Sequence, residues 1–232
     1  MLVADAANEN DQPVIIGRLG LLYAVYKPAG LRVHPGADDG ADDLIERLAA
    51  LPKAPPGLCP AHRLDAGVSG VVLCSADPEM RQQIGGLLAT RQVQKVYLAL
   101  VFGRAHAKGI IRRSLDDERR GRALPALTRY RRREQLGGFT LLRVVPETGR
   151  KHQIRRHLHS IGHPIVGDDR YPQRPFRPVP GYPGRLWLHA WSIELPGGQR
   201  WTAPLPAALA AHLEVLRAGS RRDDADEAPP AG

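Results

Sequence analysis

The sequence predicts an α+β fold built on a largely antiparallel sheet with flanking helices. Three observations predict it. Strand-like segments outnumber those with helical periodicity, and the regular strand–helix–strand alternation of a parallel sheet is absent. At 232 residues the chain also suffices for one well-buried domain with little left for a second. That domain is expected over residues 13–216, between a loose, polar amino-terminal segment (1–12) and a disordered tail (217–232).

The elements follow in order. Residues 21–27, LLYAVYK, read as a strand ended by Pro28 and Gly30. DDLIERLAAL (42–51) aligns Leu44, Ile45, Leu48 and Leu51 on one helical face, with Asp42 or Asp43 as N-cap. VVLC (71–74) is a continuous apolar run, which suits a strand covered on both faces. Asp77-Pro78 starts a helix whose stripe is Met80, Ile84, Leu87 and Leu88. KVYLALVFG (95–103) alternates strictly, so Tyr97 points away from Val96, Leu98, Leu100 and Phe102. FTLLRVV (139–145) and LWLHAWSIEL (186–195) are further strands, and PAALAAHLEVL (206–216) is a closing helix.

Lys and Arg number 33 against 24 Asp and Glu, a formal charge of +9 that favours a polyanionic partner, nucleic acid first. Arginine outnumbers lysine in a chain rich in Ala, Gly and Pro, and base composition alone produces such a bias. Cys59 and Cys74 form neither a CxxC pair nor a disulfide framework, and Cys74 reads as a small buried hydrophobe. No signal peptide or membrane span is visible, so a reducing cytoplasm is expected.

Two segments carry chemistry. In HRLDAGVSG (62–70) a single carboxylate, Asp65, stands between a basic doublet and small residues, where glycines permit a tight turn and close approach of a ligand. A lone Asp-x-Gly is ordinarily just a turn. TGRKHQIRRHLHSIGHPIVGD (148–168) reads as a helix from an N-cap at Thr148 to about Ile161, stopped by Gly162 and Pro164. Ile154, Leu158 and Ile161 form its buried stripe, which puts Arg155 at the border of the buried face. A guanidinium there needs an anion, and Asp65 is the carboxylate expected to pair with it and be kept ionised by it.

These two motifs, in this order, resemble those of the RluA-type pseudouridine synthases, and the resemblance runs from about Lys27 to Ala203. It implies a bent mixed sheet with the active-site cleft across its middle. It also implies an enzyme that isomerises uridine in RNA by flipping the base, with no cofactor and no metal. Asp65 matches the catalytic aspartate, Arg155 its ion-pair partner and Tyr97 the active-site tyrosine. Arg63 matches the arginine that holds the target nucleotide out of its stack. His62, Arg150, Lys151, His152 and Gln153 are the other expected substrate contacts. His62 before RLD places the chain on the RluA side rather than the RsuA side. Val68 stands where the family usually has threonine. No S4-like basic module precedes the motifs, so the chain reads as a short form, with tRNA slightly ahead of ribosomal RNA as substrate. A monomer is expected.

Other readings are weaker. His159 and His163 have a metal-ligand spacing, but Gly162 ends the helix between them and no Cys or Asp cluster completes a site. The basic run 112–133 and the loop 171–185, with Arg174, Arg177, Arg185, Phe176 and Tyr182, are either solvated surface or RNA contacts. A non-catalytic RNA-binding protein is the alternative function, and ribosomal RNA of the large subunit the alternative substrate. A glycosidase would require a second carboxylate beside Asp65.

Overall fold

The structure is a computed structural model describing residues 12–34, 43–118 and 120–226. Its strands are β1 (Val14–Leu19), β2 (Leu22–Lys27), β3 (Cys59–Pro60), β4 (Ser69–Ser75), β5 (Gln94–Phe102), β6 (Lys108–Arg112), β7 (Leu115–Asp117), β8 (Arg122–Leu124), β9 (Leu127–Leu136), β10 (Phe139–Pro146), β11 (Leu188–Glu194) and β12 (Arg200–Thr202). Its helices are α1 (Leu44–Ala49), α2 (Pro78–Ala89), α3 (Gln153–Ser160) and α4 (Ala207–Asp226). Where the sequence predicts a single domain, the chain divides into two compact units. One is residues 1–97 with 188–205; the other is 98–187 with 206–232. Strand β5 carries the chain from the first into the second.

In the first unit the strands lie in the order β1-β2-β4-β11, with β12 beside β11 and β3 beside β4. All of these pairs are antiparallel except β4 with β11. The apolar run of β4 is buried throughout, as expected of a strand covered on both faces. Asp77 caps α2 by accepting the Glu79 N–H at 3.0 Å. Ile84 of α2 enters a core with Leu22, Val71, Leu73, Ile193 and Trp201, and Met80, Leu87 and Leu88 pack against it. Burying each large aliphatic side chain there stabilises by about 1.5–3 kcal/mol. Asp43 caps α1, accepting from Ile45 N and Glu46 N at 2.8 and 3.0 Å. Asp42, the other candidate cap, lies outside the described residues.

Gly70 has φ +128, and a Cβ there would collide with the Ala190 carbonyl. The close approach that this glycine permits is therefore of backbone to backbone: it lets β4 lie parallel to β11, with Ala190 paired to Gly70.

In the second unit β5 is followed by β10, β9 and β6, with β7 and β8 forming a separate hairpin. The basic run 112–133 is thus largely strand rather than loop. From Leu98 onward β5 is buried on both faces, where its alternation predicted two unlike ones. The segment after α3 explains this in part: Val166 N donates to Leu100 O at 2.9 Å, and Phe102 N to Pro164 O at 3.0 Å. Helix α4 continues to Asp226, so the segment expected to be disordered from 217 begins as helix. Arg217 is its anchor, bonding both oxygens of Glu134 on β9 at 2.8 and 2.6 Å. The amino-terminal segment expected to be loose lies outside the described residues except for Gln12, as do residues 227–232 at the other end.

Gly70→Ala is expected to destabilise the protein by about 2–6 kcal/mol, the sum of positive-φ backbone strain and overpacking. Urea unfolding checks it, and a midpoint unchanged from wild type would contradict the parallel junction as the reason for this glycine.

Candidate active site

Asp65 lies half-buried in a turn just before β4, closed by the Val68 N–H donating to its own carbonyl at 3.0 Å. Three contacts fix this turn within the first unit. Beneath it, Lys27 is fully buried (0% exposed) at the end of β2. Its Nζ donates to Pro28 O and Leu31 O at 2.7 Å each and to Ala66 O at 3.1 Å. The three protons of one ammonium thus meet three carbonyls, which makes its burial tolerable. Ala66 O also accepts the Gly30 N–H at 2.9 Å, so the Pro28–Leu31 turn and the Asp65 turn are joined twice.

Behind the turn, Ser69 Oγ and His189 Nδ1 are 2.9 Å apart, both residues fully buried. Ahead of it, His62 Nε2 accepts the Leu73 N–H at 3.0 Å, while Leu73 O accepts from Ala61 N at 2.8 Å. Burial, and then the positive charge of Lys95, lower the His62 pKa to about 3. A ring nitrogen that accepts a backbone N–H carries no proton, in agreement with that shift. His62, expected as a substrate contact, has this structural bond on one edge. Arg63, the next residue, is exposed. Val68 is buried, and an apolar side chain suits that position.

Tyr97 on β5 is half-buried. Burial, followed by the Asp65 carboxylate, raises its pKa well above the ordinary phenol value. The structure therefore brings Asp65 and Tyr97 into electrostatic contact, and the phenol beside the carboxylate stays protonated, able to donate.

In the second unit Arg155 is 7% exposed on α3. Its Nε donates to Asp168 Oδ2 at 2.8 Å and its Nη2 to Asp168 Oδ1 at 2.7 Å. Nη2 also meets Asp169 Oδ1 at 3.2 Å, and the Tyr171 ring centroid lies 5.4 Å from the guanidinium carbon. Asp168 accepts two backbone N–H groups as well, from Arg170 at 3.0 Å and Tyr171 at 2.9 Å. Sequence reasoning missed this carboxylate. Its signal was the acidic doublet directly after Gly167, whose positive φ turns the chain.

Helix α3 is shorter than predicted. It begins at Gln153 because His152 adopts the left-handed conformation (φ 53), and Thr148 does not cap it. Instead Thr148 Oγ1 donates to Gln153 Oε1 at 2.6 Å. Gln153 Oε1 also accepts from Arg150 N at 3.1 Å, and its Nε2 donates to Leu127 O and Thr128 Oγ1 at 2.9 and 3.0 Å. Gln153 is buried, and its amide is occupied on both its oxygen and its nitrogen. At the other end Gly162 N donates to His159 O and His163 N to Leu158 O, each at 3.0 Å, and Gly162 takes φ +78. This is a Schellman termination at the predicted glycine.

Of the remaining expected contacts, Lys151 is exposed and bonded to Glu118 at 3.2 Å, a surface pair of little energetic weight. Arg150 reaches Pro125 O at 3.3 Å, and His152 Nδ1 lies 3.3 Å from Tyr171 Oη. His157 is committed on both ring nitrogens, to Thr128 Oγ1 at 2.8 Å and Arg113 O at 3.0 Å.

The family model for RNA pseudouridylate synthase matches residues 22–160. The chain belongs to this family. Ribosomal large subunit pseudouridine synthase D of Nitrosomonas europaea is 37% identical over 84% of this chain and 63% of its own length. Ribosomal large subunit pseudouridine synthase C of Salmonella typhimurium is 36% identical over 84% of this chain and 67% of its own. The chain thus spans about two thirds of these curated relatives. Among solved structures it is similar to human RNA pseudouridylate synthase domain containing 4, at a TM-score of 0.73 and 27% identity, covering 88% of this chain and 92% of that one.

Asp168→Ala removes the bidentate partner of a buried guanidinium and is expected to cost about 3–5 kcal/mol in urea unfolding. A loss below 1 kcal/mol, roughly the scale of a surface pair, would show that Asp169 replaces it. For His62 the folded-state pKa lies below the unfolded one, so the unfolded chain binds the extra proton. Its stabilisation is complete above about pH 6.5 and is lost progressively as pH falls toward 3. His62→Gln is expected to flatten the acid limb of stability against pH by up to about one proton. An identical acid limb would contradict a neutral, accepting imidazole.

Proposed function

We propose that the protein isomerises uridine to pseudouridine in structured RNA. The observation that carries this reading is the immobilised Asp65 turn with the protonated Tyr97 phenol at its carboxylate, within a chain of this family. The reaction breaks the N1–C1′ bond, rotates the uracil and rejoins it through C5, which then gives up its proton as N1 regains one. Nothing is added or lost overall. A base cannot rotate within a stack, so the nucleotide is first extruded, with Arg63, exposed beside the Asp65 turn, holding the strand. The Asp65 carboxylate serves either route to C1′ cleavage, attack at C1′ or removal of the C2′ proton. Tyr97 lies against the flipped base and donates from its phenol. Water is excluded, since hydrolysis at C1′ would leave an abasic site.

Arg155 is the cation assigned to Asp65 in this reading. Phe176, 85% exposed between the exposed Arg174 and Arg177, supplies a platform on which an unpaired base can stack. The names of the relatives put large-subunit ribosomal RNA first among the substrates to test, with tRNA, the sequence-based preference, second.

Carbodiimide-dependent primer-extension mapping of total RNA, with and without the gene, tests the proposal. One or more stops lost with the gene and restored by wild type is the expected result. Asp65→Ala is expected to restore none while still binding RNA, because it removes the reacting group and none of the basic surface. Tyr97→Phe, which keeps the ring and loses the hydroxyl, is expected to lower turnover by about 10²–10⁴. Stops restored in full by Asp65→Ala would overturn the assignment, and binding lost in parallel with activity would make Asp65 structural.

A further inference from the structure

The registers of β6, β9 and β10 place like charges directly opposite one another. Lys108 on β6 pairs with Arg131 on β9, and Arg131 pairs with Arg143 on β10. Directly opposed residues of an antiparallel sheet project from the same face, so three cations stand in one row about 10 Å long. The next row is Ile110, Arg129 and Val145. The row after it holds Arg112 beside Leu127, whose carbonyl accepts the Glu147 N–H at 2.9 Å. On this face Arg129 is bonded to Glu147 at 2.7 Å. Among the described residues no carboxylate lies within salt-bridge range of Lys108 or Arg131. The opposite face of the same strands carries Ile111, Thr128, Tyr130 and Val144, all buried, whereas Lys108, Ile110, Arg112, Arg129 and Arg131 are exposed.

Like charges opposed across strands weaken a sheet. A lysine on an edge strand discourages aggregation and accounts for Lys108. It does not account for two arginines continuing the row into the interior of the sheet. We infer that this row is a track for the phosphate backbone of the RNA substrate. RNA is the polyanion at hand if the protein acts on uridine as proposed above, and the inference rests on that reading. Phosphate contacts of this kind carry no sequence information. They set the register of the duplex or strand on the protein, and they make affinity steeply dependent on salt.

The test is the salt dependence of binding to a labelled single-stranded RNA of roughly 20 nucleotides, for wild type and for the double variant Lys108→Gln, Arg131→Gln. The slope of log affinity against log salt is expected to fall by about 1.4, two contacts at about 0.7 each. The thermal midpoint is expected to stay or rise, because the variant relieves repulsion. The charge-preserving exchange Lys108→Arg, Arg131→Lys should keep the wild-type slope, and so should Arg18→Gln, Lys53→Gln in the first unit. An unchanged slope in the first double variant overturns the inference, as does an equal fall in the Arg18, Lys53 control. A lower midpoint together with lost binding overturns it too if the charge-preserving variant shares both defects. Wild-type pseudouridine formation decides the uridine reading separately, so a failure of either is told from a failure of the other.

Discussion

One buried ammonium holds the Asp65 turn in place. Lys27 sits where β2 ends, and its three bonds reach the turn that follows it and the turn that carries Asp65. Both turns expose carbonyls inward, with no strand partner of their own for those groups. A neutral apolar side chain in that position would take this donor from Pro28 O and Leu31 O and leave Ala66 O with the Gly30 N–H alone. The lysine is therefore the element on which the direction of the Asp65 carboxylate depends. Ser69–His189 and His62–Leu73 then fix the chain on either side. A side chain on a turn held by three independent contacts is preorganised.

The second unit applies the same principle to a cation. Arg155 would be costly alone at its burial, and Asp168 neutralises it through a two-point contact that also fixes the plane of the guanidinium. The helix bearing it is seated by a polar network rather than by apolar packing alone. Gln153 and His157, one turn apart, both reach Thr128 on β9. Such a network contributes little net stability compared with a hydrophobic seat, but it admits one rotational setting of the helix. That setting is what aims Arg155.

Much of the fold is legible in the sequence because local rules operate there without competition. The caps at Asp43 and Asp77, the stripe of α2, the apolar run of β4 and the glycine stop at Gly162 all obey them. β1 was not legible, since Gly17 breaks its apolar pattern at a bulge and Trp201 occupies the space a side chain would fill. β9 was not legible either. Its exposed face is arginine, so its alternation reads as a basic loop until the buried Thr128 and Tyr130 reveal the other face. At the site, Asp65 and Arg155 stood out by motif, and the family comparison agrees with that resemblance. Lys27, Asp168 and His189 did not stand out, because their significance lies in partners remote in sequence or beyond a turn. The bonding partners of Gln153 and His62 were not legible either, because a polar side chain in a motif gives no sign of where its hydrogen bonds go.

The parallel pairing of β4 with β11 has a consequence for biosynthesis. Ser69 and His189 are 120 residues apart, and the unit that holds Asp65 is interrupted by most of the other. While the chain emerges from the ribosome, the Asp65 turn exists for most of synthesis without the strand that supports its rear. The intervening hairpins and helices are local enough to form as they appear, whereas this long-range closure waits for β11. A chain that has not yet reached β11 thus holds the Asp65 turn through Lys27, Gly30 and His62 alone, without the Ser69–His189 bond behind it.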